Sequence, residues 1–112
     1  MLDPLQATLP SGSELAVDRS MLDRIILRPS PDVQSASMEG ETVLLDLSTG
    51  RYYTLNRLGS FIWEHCNGHS SISDIHTILC DRFDVASERA LDDLVALVNQ
   101  LVREGLLQHE RR

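Results

Sequence analysis

The sequence predicts an α+β domain, a small antiparallel sheet followed by three α-helices, and two observations carry that expectation. Residues 41 to 56 hold two short runs of alternating apolar residues joined at Ser48-Thr49-Gly50, the period-2 pattern of half-buried strands. From residue 57 onward the apolar residues recur at helical spacing, in three stretches separated by glycine and serine punctuation.

In the first run Val43, Leu45 and Leu47 share one face, while Thr42, Leu44 and Asp46 share the other. In the second, Tyr53 and Leu55 oppose Tyr52 and Thr54, which leaves one aromatic on each face. The alternation alone keeps both tyrosines as candidates for facing a guest. Gly50 supplies the positive φ that a tight hairpin connection needs. Upstream, Val33 to Met38 is a weak strand by propensity, placed where a third strand joins the hairpin through a turn at Met38-Glu39-Gly40-Glu41. Pro29-Ser30-Pro31 breaks the chain before it.

Asn56 is a favoured helix N-cap, so strand should pass into helix with almost no loop. Leu58, Ile62 and Cys66, widened by Phe61 and Trp63, face the core until Asn67-Gly68 stops the helix. Ser71 caps the second helix with Asp74 at its positive end. Ile72, Ile75, Ile78 and Leu79 form its apolar face, and it ends near Arg82. Ser87 is expected to cap the third and longest helix, whose stripe is Leu91, Leu94, Val95, Val98, Leu101 and Val102 with Leu97 beside it. Gly105 ends it, and Leu106-Leu107 tuck under before a charged tail at 109–112.

Residues 1–22 mix proline, serine, glycine and acids with isolated leucines, a composition expected to stay disordered. Met1-Leu2-Asp3 returns as Met21-Leu22-Asp23, which makes Met21 a natural start. The ordered domain is then expected over 23–108.

With 112 residues the chain is one domain, and 17 acidic against 10 basic residues leave a formal charge of −7. A duplex-binding protein needs a basic face for phosphates, and none is visible, so nucleic acid is not an expected partner. No apolar run is long enough to span a membrane and no signal peptide opens the chain, so no membrane partner and a cytoplasmic location are expected. Two cysteines do not make a disulfide framework.

His65, Cys66, His69, His76 and Cys80 carry the nitrogen and sulfur atoms that could ligate a metal. They lack the paired short spacings of a structural zinc site, and both cysteines fall on or near apolar faces. A Cys66 nucleophile with His65 or His69 lacks a third orienting group. Glycines occur singly, without a phosphate-binding loop. No catalytic residue, metal or cofactor is expected, and the chain does not read as an enzyme.

What remains is an edge. A sheet of three strands leaves at least one strand unpaired on one side, and such an edge accepts an extended peptide by strand addition. With Arg51 to Leu55 as that edge, the third helix supplies the wall of a groove. The competing reading is an edge merely protected by Arg51 and the flanking tail.

Val43-Leu-Leu-Asp-Leu-Ser-Thr-Gly-Arg-Tyr-Tyr-Thr-Leu-Asn-Arg-Leu-Gly59, then Ile62-Trp63, Gly68, Ile72-Ser-Asp-Ile75, Phe83-Asp-Val85, Asp92-Asp93 and Gly105-Leu-Leu107, resemble the PqqD-like family. Its members are the peptide-recognition elements of ribosomal-peptide modification. The spacing from Asp46 through Gly50 and Tyr52 to Leu55-Asn56 is most similar to the stand-alone recognition proteins of lasso-peptide clusters. The resemblance spans roughly residues 24–108.

It implies a winged-helix-like fold and a non-catalytic peptide chaperone, which captures the leader of a precursor peptide and presents it to a leader peptidase and a macrocyclase or other maturase. Carried over, the peptide-binding residues are Arg51, Tyr52, Tyr53, Thr54 and Leu55 on the strand, with Asp93, Leu94, Leu97, Val98 and Leu101 on the helix. The family also contains pyrroloquinoline quinone accessory proteins and domains serving radical enzymes, which is the alternative assignment. The rival from another class is a winged-helix DNA-binding regulator, and Asp74, Asp81, Asp92 and Asp93 on its would-be reading helices speak against it. A homodimer through the spare apolar width of the last helix is compatible with peptide binding.

Overall fold

The structure is a computed structural model that describes residues 21–111. Its elements in chain order are β1 (Ile25–Pro29), β2 (Val33–Met38), β3 (Glu41–Asp46), β4 (Tyr52–Leu55), α1 (Arg57–His65), α2 (Ile72–Arg82), α3 (Ser87–Arg103) and β5 (Leu107–Arg111). The expected α+β architecture is present: β2, β3 and β4 form an antiparallel sheet in that order, and the three helices follow it. Of the extension expected to be disordered over 1–22, residues 1–20 lie outside the described residues.

A second sheet was not anticipated. β1 and β5 pair antiparallel from Ile25↔Arg111 to Pro29↔Leu107. The tail expected from residue 109 is therefore, as far as Arg111, the outer part of a strand. Its exposed Gln108, His109 and Glu110 show no alternation, because backbone pairing with β1 places them rather than side-chain burial. Leu22, expected in the extension, is buried in the core, and its carbonyl accepts from the Ser73 amide at 3.0 Å.

Local chemistry explains each junction. At the β2–β3 turn Glu39 and Gly40 both have positive φ (53° and 83°), the conformation of a two-residue hairpin turn that follows strand twist. Between β3 and β4, Asp46 accepts from the Ser48 amide (2.9 Å) and hydroxyl (2.7 Å), and its carbonyl accepts from the Gly50 amide (2.8 Å). The Ser48 hydroxyl, foremost among these contacts, holds the Asp46 carboxyl below its ordinary range.

The Asn56 side chain accepts from the Gly59 amide at 2.8 Å as the N-cap of α1, and Ser71 with Asp74 makes a reciprocal capping box on α2. The cap expected at Ser87 is not formed. Ala86 is the N-cap, and Ser87 is the first helical residue, its carbonyl 2.9 Å from His76 Nε2. At the far end of α3 the Gly105 amide donates to Val102 O (3.0 Å) and the Leu106 amide to Leu101 O (2.9 Å), with both leucines buried. This is a Schellman closure, and it aims the chain into β5.

The core lies between the inner face of the three-stranded sheet and the helices. Leu44, Tyr53 and Leu55 from the sheet meet Ile62, Ile72, Ile75, Leu79, Leu94, Val98 and Leu101. Burying each such side chain contributes roughly 1.5–3 kcal/mol. Leu91, Val95, Leu97 and Val102, the spare width of α3, are partly buried and packed against this core.

Candidate site at the β4 edge

Strand register fixes which backbone groups point where. One step beyond Leu45↔Tyr52 the Asp46 amide donates to Arg51 O at 2.9 Å, so Asp46, Leu44 and Thr42 of β3 turn their hydrogen-bonding groups toward β4. Alternation then leaves the backbone groups of Tyr52 and Thr54 directed to the outer side of the sheet, where β4 is the terminal strand among the described residues. This is the orientation that an added strand would meet.

The two tyrosines separate cleanly. Tyr53 is 1% exposed and packs in the core, and its hydroxyl donates to Glu104 Oε1 at 3.1 Å. Desolvation, with Glu104 beside it, raises the Tyr53 pKa. Tyr52 is 56% exposed on the opposite, outer face. Arg51 stands 5.7 Å over the Tyr53 ring and 3.8 Å from the Glu104 carboxylate. Ion pairs of this exposed kind contribute at most about 1 kcal/mol. Together, however, these contacts tie the start of β4 to the end of α3.

That tie identifies which flank of α3 runs beside β4. At about 100° per residue, Asp93, Leu97, Gln100 and Glu104 lie along one ridge, and Glu104 is the residue that touches Arg51 and Tyr53. Along it Asp93 is exposed with Arg89 Nε 3.8 Å away, Leu97 is half-buried and Gln100 is buried. The ridge can offer an apolar shelf at Leu97 between two polar positions.

Of the ten expected peptide-binding residues, Arg51, Tyr52, Thr54, Asp93 and Leu97 keep accessible side chains. Tyr53, Leu55, Leu94, Val98 and Leu101 do not. Each is 0–1% exposed, so their side chains belong to the core rather than to an accessible surface. Gln100 and Glu104 were missed, although their spacing from Leu97 puts them on its ridge.

The other chemistry-bearing residues stay apart. Cys66 donates to Ile62 O (3.2 Å), and burial pushes its thiol up to about 12. His65 Nδ1 lies 2.8 Å from Phe61 O, and Cys80 lies 3.5 Å from His76 Nε2. Among the described residues no group of three metal-ligating side chains comes together. No helix among them is long and apolar enough to cross a membrane. The sheet's outer face, away from the helices, exposes Val43, Leu45, Leu47 and Tyr52.

The sequence profile of the family described as coenzyme PQQ synthesis protein D (PqqD) matches residues 41–107. A search of curated proteins finds no match. Among solved structures, one of TbiB1 in complex with the TbiA(beta) leader peptide superposes with a TM-score of 0.68 at 31% identity, covering 72% of this chain and 94% of that one. A lasso peptide synthetase B1 complexed with the leader peptide gives 0.67 at 28% identity, covering 73% and 96%. The heterocyclase TruD shares the fold alone, with a TM-score of 0.57 at 20% identity over 77% of this chain and 12% of that one.

Proposed function

This chain belongs to the PqqD family, and from that premise we propose that it is a non-catalytic carrier that captures the leader of a ribosomally made precursor peptide, in lasso-peptide biosynthesis, as an added strand on β4. The observation that carries the proposal is the pairing of a terminal strand, whose Tyr52 and Thr54 backbone groups face outward, with the ridge of α3 beside it. Backbone hydrogen bonds along Tyr52–Leu55 supply affinity, and alternate leader side chains fall toward Leu97 on one face and beside Tyr52 on the other. Arg51 and Asp93 flank the groove with opposite charges and orient the guest. The structural relatives bound to leader peptides support this reading.

The loaded carrier then presents the precursor to a leader peptidase and a macrocyclase. Filling the β4 edge leaves the apolar outer face around Val43, Leu45 and Leu47 accessible to such an enzyme.

Titration of a fluorescent leader peptide from a lasso-peptide precursor tests the capture step. Tyr52→Pro removes an outward amide without touching the β3 ladder, so it should weaken binding about tenfold or more while leaving the circular dichroism spectrum intact. Unchanged affinity in that folded variant would move the site away from β4.

A further inference from the structure

The sheet has a second terminal strand, and nothing in the leader-capture scheme uses it. One step beyond Val33↔Asp46 the Leu47 amide donates to Asp32 O at 2.9 Å, so Leu45, Val43 and Glu41 bond toward Gln34, Ala36 and Met38 of β2. The Val33 amide turns back to donate to Ser30 O at 3.1 Å, while the Val33 carbonyl and the backbone groups of Ser35 and Ser37 are left facing away from the sheet. Among the described residues no element pairs with that side, and β2 is exposed along its length except for the half-buried Val33.

Exposed edges are normally blunted by charges, proline, a bulge or brevity. β2 has none of these: Val33-Gln-Ser-Ala-Ser-Met38 carries no charge and no proline, and its register with β3 runs unbroken over six residues. Beneath its far end lies an open crevice of about 280 Å³, lined by Ser37, Met38, Phe61 and Phe83 with Arg57 and Glu64 at its sides. An added strand would find both unused backbone groups and an aromatic recess for one inward side chain.

We propose that the β2 edge is a homodimer interface, in which β2 of a second copy pairs antiparallel about a two-fold axis at Ser35. The strand is suited to pairing with itself. Around that axis Ser35 faces Ser35 of the other copy, Val33 faces Ser37 and Gln34 faces Ala36, so the N–H and C=O of Ser35, the Ser37 N–H and the Val33 C=O meet partners and no like charges stand opposite. Although each chain carries a formal charge of −7, the strand itself is neutral and Asp32 falls opposite Met38. The inward Val33 of one copy comes over Ser37 of the other, at the mouth of the crevice with Phe61 and Phe83.

The contact is isologous and closes at two copies. It yields one continuous sheet with the helices on a single side and a β4 edge at each end, so two guests bind without competing for this interface.

Sedimentation velocity on the full chain, from micromolar to millimolar concentration, tests the proposal. The wild type should pass reversibly from monomer to dimer. Ser35→Pro removes an outward amide and leaves the β3 ladder whole, so it should raise the dimer dissociation constant about a hundredfold or more with unchanged circular dichroism. Ser35→Lys and Ser35→Glu, each monomeric alone, should dimerise when mixed, because the two substituted positions meet at the axis. A wild type that stays monomeric throughout overturns the proposal and leaves the edge to a different polypeptide. A dimer that survives in folded Ser35→Pro overturns it as well, as does a mixture of the Lys and Glu variants that remains monomeric.

Discussion

The two strands that end the three-stranded sheet among the described residues, β4 and β2, both turn backbone groups away from it but differ in what stands behind them. β4 is four residues long and is tied through Arg51 and Tyr53 to Glu104 on the ridge of α3. β2 is six residues long, neutral, and backed only by the crevice at Phe61 and Phe83. Backbone hydrogen bonds along an edge are nearly blind to sequence, so selectivity must come from the side chains of the wall. Under the proposed assignments, the strand with a charged wall chooses the guest, and the neutral strand pairs with its own copy.

The sharpest way to break this comparison is at the tyrosines that anchor β4. Tyr53→Ala removes a core side chain together with its bond to Glu104 and should destabilise the domain by about 3–5 kcal/mol in urea unfolding. Tyr52→Ala, on the exposed outer face, should stay within about 0.5 kcal/mol of wild type. Equal losses would mean that the two side chains do not lie on opposite faces.

The wall gives the next contrast. Leu94→Ala should cost about 2–5 kcal/mol of stability, because Leu94 is fully buried. Leu97→Ala, half-buried on the ridge, should cost less stability and weaken the leader about tenfold. If Leu97→Ala left binding untouched, the guest would not reach α3.

The smallest effect belongs to the turn that sets the register of β4. The folded-state pKa of Asp46 is lowered from 3.8, chiefly by the Ser48 hydroxyl. Its stabilising contribution is therefore present above that value and lost as pH falls through the lower folded value. Urea midpoints at pH 7 and pH 3 should differ less in Asp46→Asn than in wild type, and an identical difference would show that the Ser48 contacts do not favour the ionised form.

Much of this was legible in the residues themselves. The hairpin, the caps at Asn56 and Ser71 and the stop at Gly105 each follow from a local requirement for a side-chain acceptor or a positive φ. β5 was not legible, because Gln108 to Arg111 lie exposed and are held by backbone pairing to β1, far away in the chain. Ser87 was misread as a cap since a serine one residue inside a helix looks the same in sequence as one at its boundary. On α3 the apolar stripe alone could not separate core from groove. A turn of about 100° distinguishes Leu94 and Val98 from Leu97, and only the Glu104 contact with Arg51 and Tyr53 shows which flank meets β4.

Amide hydrogen exchange with and without the leader peptide tests capture at β4 most directly. Binding should slow exchange at the Tyr52 amide, which faces away from β3, while leaving exchange at Ser35 and Ser37 on β2 unchanged. Slowed exchange confined to Ser35 and Ser37, with Tyr52 unaffected by saturating peptide, would contradict the assignment of β4 as the working edge.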